Sequence, residues 1–185
     1  MVDVFFANGF EEIEALTVVD MLRRASIDVQ MVSTADTLEV TSSHKVTVKC
    51  DVMLEQAKNE EADMLVLPGG IPGMPNLKEN PDVIEMLKKQ YEDKKWLAAI
   101  CASPSIFASL GFLKGKKAIS YPDYEDELRE NGAEVVRESV VVTDHIITSR
   151  GMGTTILFAA EIIKQLKDVD TANDVLRKII YNDTI

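Results

Sequence analysis

Short apolar runs alternate with helix-periodic segments along the whole chain, and this alternation restricts the fold more than any other feature. Val2–Phe6, Ile27–Ser33, Met64–Leu67 and Trp96–Ile100 read as strands, the last two apolar throughout, as strands buried on both faces are. Leu38–Val40, Val46–Cys50 and Ala118–Ser120 are shorter β pieces, and Val140–Thr143 and Ile146–Ser149 flank Asp144-His145 as a hairpin. Helical spacing covers Phe10–Ala25, Pro81–Tyr91, a segment from Cys101 to about Leu110, Tyr124–Asn131, Thr154–Leu166 and Thr171–Ile180. Strands alternating with helices imply an α/β fold, a mostly parallel sheet covered by helices on both faces. No repeat, low-complexity stretch or linker interrupts the pattern, so the 185 residues are expected to form one domain over 1–185.

In such a sheet, ligands bind outside the carboxyl ends of the strands. Cys101 stands at one of those ends, between the run Trp96–Ile100 and the helix-forming Ala102-Ser103-Pro104-Ser105-Ile106-Phe107. A sharp strand-to-helix turn aims the sulfur at the amino end of a helix, where unpaired N–H groups and the dipole favour an anion. Those conditions are expected to lower the thiol pKa and yield a nucleophile in an elbow-like turn. The same position also suits a small buried hydrophobe, which free cysteine often is.

Glu14 falls inside the apolar arc of the first helix, among Ala15, Val18, Met21, Leu22 and Ala25. A carboxylate on a core-facing stripe needs a partner or a proton. If Glu14 meets Cys101, the useful arrangement is a protonated carboxyl beside a thiolate, a pair that titrates jointly. Glu11 and Glu12 are expected to be ordinary first-turn acids, with Glu11 reaching solvent. Pro68-Gly69-Gly70 ends a strand with a backbone that a ligand can approach closely. The N–H groups of Gly70 and Ala102 are candidates for an oxyanion hole. Ser149-Arg150-Gly151-Met152-Gly153-Thr154 forms a second glycine-bearing loop, where Arg150 is an anion ligand, a surface residue or an interface pair.

Net charge is −11, with acids spread along the chain, which argues against nucleic acid or an anionic membrane as partner. The two cysteines, Cys50 and Cys101, stand in no disulfide or metal-ligand pattern, and Cys50 reads as structural. They fit a reducing compartment, and with an amino terminus unlike a signal peptide the chain reads as cytoplasmic. No apolar stretch reaches membrane-spanning length. His44 and His145 lie away from the site loops and read as surface residues. No metal-binding, phosphate-loop or dinucleotide motif is present, so no metal or cofactor is expected. The segment Thr154–Leu166 is apolar on nearly all sides, so it packs against the sheet and either a partner subunit or the last helix.

Four segments together carry a resemblance: Asn8-Gly9-Phe10-Glu11-Glu12-Ile13-Glu14, Leu67-Pro68-Gly69-Gly70, Ala98-Ala99-Ile100-Cys101-Ala102 and Thr148-Ser149-Arg150-Gly151-Met152-Gly153-Thr154. In this order and spacing they resemble the DJ-1/ThiJ/PfpI superfamily over nearly the whole chain. The resemblance implies a flavodoxin-like three-layer sandwich with a cysteine nucleophile elbow, in a homodimer. It assigns Cys101 as the oxidation-sensitive nucleophile, Glu14 as its hydrogen-bonding glutamate, and Gly70 and Ala102 as backbone donors, with Gly69, Tyr121 and Arg150 as secondary candidates.

Members are assigned glutathione-independent glyoxalase or deglycase chemistry on small dicarbonyls, redox sensing through cysteine-sulfinic acid, and chaperone activity. The chain therefore reads as a protein of carbonyl or oxidative stress, either acting on small aldehydes or serving as a non-enzymatic sensor. Protease-like members carry a histidine directly after the cysteine, where this chain has Ala102. A glutamine amidotransferase would need a histidine within reach of the sulfur. Other members with aldehyde chemistry carry a histidine where Ile119-Ser120 leads here into Tyr121. Tyrosine, with a reference pKa of about 10, is a poor base at neutral pH. Proton transfer then falls to Glu14, which counts against fast turnover.

Overall fold

The computed structural model describes residues 1–181. The chain begins with β1 (Val2–Phe6), α1 (Glu12–Arg24), β2 (Val29–Ser33), β3 (Glu39–Thr41), β4 (Thr47–Lys49), β5 (Val52–Met53) and α2 (Leu54–Ala57). It continues with β6 (Met64–Leu67), α3 (Gly73–Glu79), α4 (Pro81–Glu92), β7 (Trp96–Ile100), α5 (Pro104–Ser109) and β8 (Lys117–Ala118). Then follow α6 (Glu125–Glu130), β9 (Glu134–Val135), β10 (Val140–Thr143), β11 (Ile146–Ser149), α7 (Thr155–Leu166) and α8 (Val169–Lys178).

A seven-stranded sheet runs in the order β10-β11-β7-β6-β1-β2-β5, and every neighbouring pair is parallel except β10–β11. Strand side chains alternate between two core layers, as a period of two requires. Val2, Val4, Phe6, Met64, Val66, Ala98 and Ile100 meet α1, α7 and α8 on one face. Phe5, Leu65, Leu67, Leu97 and Ala99 meet α2, α4, α5 and α6 on the other. Each fully buried side chain of this size contributes about 1.5–3 kcal/mol. The expected α/β sandwich is therefore present.

Helix boundaries follow their caps. Asn80 Oδ1 accepts from the N–H of Asp82 and Val83, and Pro81 opens α4 where its missing N–H costs nothing. Asp168 accepts from Thr171 N–H at 2.7 Å, which starts α8 at Val169 rather than at Thr171. Glu11 caps α1, which starts at Glu12 rather than at Phe10. β3 and β4 form a separate antiparallel hairpin, and β8 pairs with β9 outside the main sheet. The α3 helix lay hidden because Gly73 and Pro75 weaken its helical signal.

The apolar α7 is covered within the chain. Phe158, Ala159, Ala160, Ile162 and Ile163 are buried, and the helix packs on α1 and α8 as well as on the sheet. Of the two expected covers, the last helix supplies the second face. Among the described residues no helix is long and apolar enough to cross a membrane.

Candidate functional site

The strand order β11-β7-β6-β1 sets four loops side by side at the carboxyl ends of the sheet. They are the loop after Ser149, the turn at Cys101, Pro68-Gly69-Gly70, and the segment leading into α1. Cys101 sits between β7 and α5 with φ 65, a left-handed conformation that costs a non-glycine residue roughly 1–2 kcal/mol. Neighbours hold it there. Its N–H donates to the Ser149 carbonyl at 3.0 Å, and its own carbonyl accepts from Tyr121 N–H at 2.7 Å. The Ser103 hydroxyl donates to the Pro68 carbonyl at 2.6 Å, tying the cysteine turn to the glycine loop.

Glu14 projects from the first turn of α1 and is fully buried. Its Oε2 accepts from Gly69 N–H at 2.8 Å, while Oε1 has no hydrogen-bond partner. Burial is the main cause that raises the carboxyl pKa to about 7, with the nearby Glu11 charge adding to it. The Gly69 N–H and the Cys101 thiol oppose that rise. Burial likewise pushes the Cys101 thiol up to about 12, followed by the charge and hydrogen bond of Glu14. The N–H groups of Ala102 and Gly70 act on the sulfur in the opposite sense, favouring the thiolate.

Together these shifts correct the expectation of a thiol pKa lowered by the helix end alone. The α5 helix has only six residues and begins three residues beyond the sulfur, so its dipole is weak. Burial and the facing carboxylate outweigh it. Glu14 and Cys101 titrate jointly, and the first proton to leave the pair does so near pH 7.

Glycine is required at the contact. A Cβ on Gly69 would lie 2.7 Å from Cys101 Cβ, 2.9 Å from Glu14 Oε2 and 3.1 Å from Cys101 Sγ. Gly70 has φ 98 and no room for a side chain against the backbone of Gly9 and Glu11. Gly151 is different: a Cβ there would sit 3.5 Å from Tyr121 Cδ2 and 4.0 Å from Glu14 Oε1, both ordinary contacts.

The structure therefore brings together Cys101, Glu14, Gly69, Gly70 and Ala102, with Tyr121 and Gly151 alongside. Tyr121 is 43% exposed, and Arg150 is exposed on its loop. Glu11 does not reach solvent. It is buried, and its Oε2 accepts from Glu14 N–H at 2.8 Å, so it fixes the turn that carries Glu14. His145 stands at the amino end of β11, its ring 5.3 Å from that of Tyr91, at the opposite end of the sheet from Cys101. His44 is exposed and pairs with Glu12 at 3.1 Å. Cys50 is buried, and burial with the Asp51 charge pushes its thiol up to about 12.

Ser103, Ser149 and the Glu11 cap escaped the sequence reading. So did Tyr124, whose hydroxyl pKa is raised by burial and then by charge on Cys101. Ser103-Pro104, two residues past the cysteine, was the available signal for a hydroxyl at the turn. Among the described residues, Glu11, Glu12 and His44 offer ligand atoms within 4.8 Å of one another. Capping by Glu11 and the Glu12–His44 pair already account for that grouping.

A family model described as the DJ-1/PfpI family matches residues 1–165. Protein DJ-1 homolog B of Arabidopsis thaliana is 39% identical over 160 residues, 86% of this chain. The chain spans 36% of the length of that protein and 43% of Arabidopsis DJ-1 homolog A. A glutathione-independent glyoxalase of Caenorhabditis elegans is 31% identical, with 91% of this chain and 89% of that protein covered. A deglycase of Thermococcus kodakarensis is 32% identical, with 89% and 98% covered. Among solved structures, oxidized Toxoplasma gondii DJ-1 superposes with a TM-score of 0.92 at 35% identity, covering 98% of each chain.

Proposed function

The chain belongs to the DJ-1/PfpI family, and on that premise we propose that it converts small 2-oxoaldehydes to hydroxyacids without glutathione, cofactor or metal. The observation that carries this reading is the fully buried Glu14, anchored through Oε2 and unpartnered at Oε1, with its carboxylate close enough to Cys101 to raise the thiol pKa. The relatives named as a glyoxalase and a deglycase support the substrate class.

In this mechanism Glu14 takes the Cys101 proton as the sulfur attacks the aldehyde carbon. A carboxylate with pKa near 7 is well matched to that task at neutral pH. The S–C bond forms, the carbonyl electron pair moves to oxygen, and the N–H groups of Gly70 and Ala102 hold the oxyanion of this nucleophile elbow. Glu14 passes the thiol proton to this oxyanion, giving a hemithioacetal. As a carboxylate again, it removes the proton on the former aldehyde carbon and delivers it to the adjacent carbonyl carbon, while the hemithioacetal hydroxyl proton moves to the neighbouring oxygen. The resulting thioester is cleaved by water, which releases the hydroxyacid and restores the thiol. Methylglyoxal plus water becomes lactate, an internal redox change that needs no outside oxidant. A deglycase-like variant starts from the adduct of the dicarbonyl with an amine or thiol.

The test is consumption of methylglyoxal in the absence of glutathione. Native protein forms lactate, and Cys101→Ala does not; equal rates would sink the proposal. Protease and glutaminase activities are disfavoured, with Ala102 after the sulfur and both histidines away from it.

A second reading follows from the same neighbours. Two equivalents of hydrogen peroxide, each giving one oxygen and leaving as water, would take Cys101 to sulfinic acid. A neutral Glu14 and the two N–H groups are donors for its oxygens. We further propose one domain over residues 1–185 in a reducing cytoplasm, acting as a homodimer. Support for the dimer comes from exposed Ile13 at the start of α1 and exposed Val46 in the hairpin turn, where Ser43 N–H bonds the Phe10 carbonyl at 2.9 Å.

A further inference from the structure

We propose that Gly151 and Tyr121 form the wall that selects the substrate's second substituent, leaving room for a methyl group beside Glu14 Oε1. The inference rests on the proposed conversion of 2-oxoaldehydes and names the part of the substrate that this wall reads. Oε2 is held by Gly69 N–H at 2.8 Å, so Oε1 is the oxygen free to carry a proton from one carbon to the next. Both reacting carbons must then come within reach of Oε1. Sulfur occupies one of them. The substituent on the other is therefore directed at whatever flanks Oε1.

Gly151, with the Tyr121 ring beyond it, lies on that side of the carboxyl. The absent side chain of Gly151 leaves a point 4.0 Å from Oε1, and the edge of the Tyr121 ring closes that point at 3.5 Å. The wall offers hydrocarbon and a missing side chain, with no charge, so it takes hydrogen or methyl and excludes a carboxylate. Gly151 is not present for backbone reasons. Its φ of 162 is extended backbone that any residue adopts, and an added Cβ would meet only ordinary contacts. Its lack of a side chain preserves space rather than enabling a turn.

The experiment compares methylglyoxal with glyoxal, which differ at that substituent by one methyl group, in the native protein and in Gly151→Ala. The alanine methyl fills the space, so the ratio of kcat/KM for methylglyoxal over glyoxal falls by about tenfold or more. A ratio unchanged within about twofold overturns the proposal. Tyr121→Ala opens the opposite wall and raises the kcat/KM of phenylglyoxal relative to methylglyoxal; no gain there also counts against it. Occupancy of Cys101 is read in parallel as protection from iodoacetamide by intact mass. If native protein turns over neither substrate, the catalytic reading fails, and the same ratio taken from thiol protection still decides the selectivity.

Discussion

Gly69 N–H donates to Glu14 Oε2 at 2.8 Å from a position where any Cβ would collide with Cys101. One glycine thus fixes the orientation of the carboxyl, leaves its second oxygen free, and lets the sulfur approach. The chemistry of Cys101 follows from this contact more than from the short helix behind it.

Gly69→Ala tests the contact directly. An added methyl would lie 2.7 Å from Cys101 Cβ and 2.9 Å from Glu14 Oε2, so the pair must separate. Overpacking of this kind costs on the order of 1–3 kcal/mol. The expected result is a lower denaturation midpoint together with loss of methylglyoxal turnover. Native stability and activity in this variant would contradict the close packing.

Glu14→Gln removes the carboxylate that faces the sulfur. The Cys101 thiol then titrates below its native value of about 12, yet above an ordinary thiol, because burial is the larger cause. Absorbance of the thiolate against pH reads this out. A thiol that still ionises near 12 would mean that Glu14 contributes nothing.

Peroxide distinguishes the two cysteines. Both thiols are pushed up to about 12, so access decides: Cys101 is partly accessible, whereas Cys50 is 3% exposed. Mild treatment is expected to add two oxygens at Cys101 and none at Cys50 by peptide mass. Oxidation at Cys50 with Cys101 untouched is the contrary result.

Asp3 gives a pH dependence unrelated to the site. Its carboxyl is fully buried, Oδ1 accepts from Gln30 at 2.9 Å, Oδ2 has no partner, and burial raises the pKa from 3.8 to about 6. The folded state therefore binds this proton more tightly than the unfolded chain. The contribution is fully present below the unfolded pKa and is lost as pH rises through about 6. Its size is on the order of 2–3 kcal/mol. Between about pH 4 and pH 7.5 the native protein should lose that much relative to Asp3→Asn in urea unfolding. Parallel pH profiles for the two proteins would refute it.

Much of this was legible in the residues. Period-two strands and the stripe on α1 gave the layers, and Glu14 inside that stripe pointed to a carboxyl in need of a partner. The pairing itself depends on β6 and β7 being neighbours, a sheet order that local periodicity does not encode. The direction of the Cys101 shift was misread because the length of α5 and the depth of burial belong to tertiary packing. Glu11 was misplaced for a related reason. Moving the helix start by two residues turns a solvent-facing acid into a buried cap. The α7 helix shows the limit of hydropathy, which reported two covered faces without saying that α1 and α8 supply the cover.

The shared proton is tested most directly by kcat/KM for methylglyoxal against pH, in native protein and Glu14→Gln. The native rate is expected to rise with pH through a midpoint near 7, as the Glu14–Cys101 pair loses its first proton. In Glu14→Gln that limb disappears and the rate falls by about a hundredfold or more. A variant with the native limb and native rate would contradict the assignment of Glu14 as the proton carrier for Cys101.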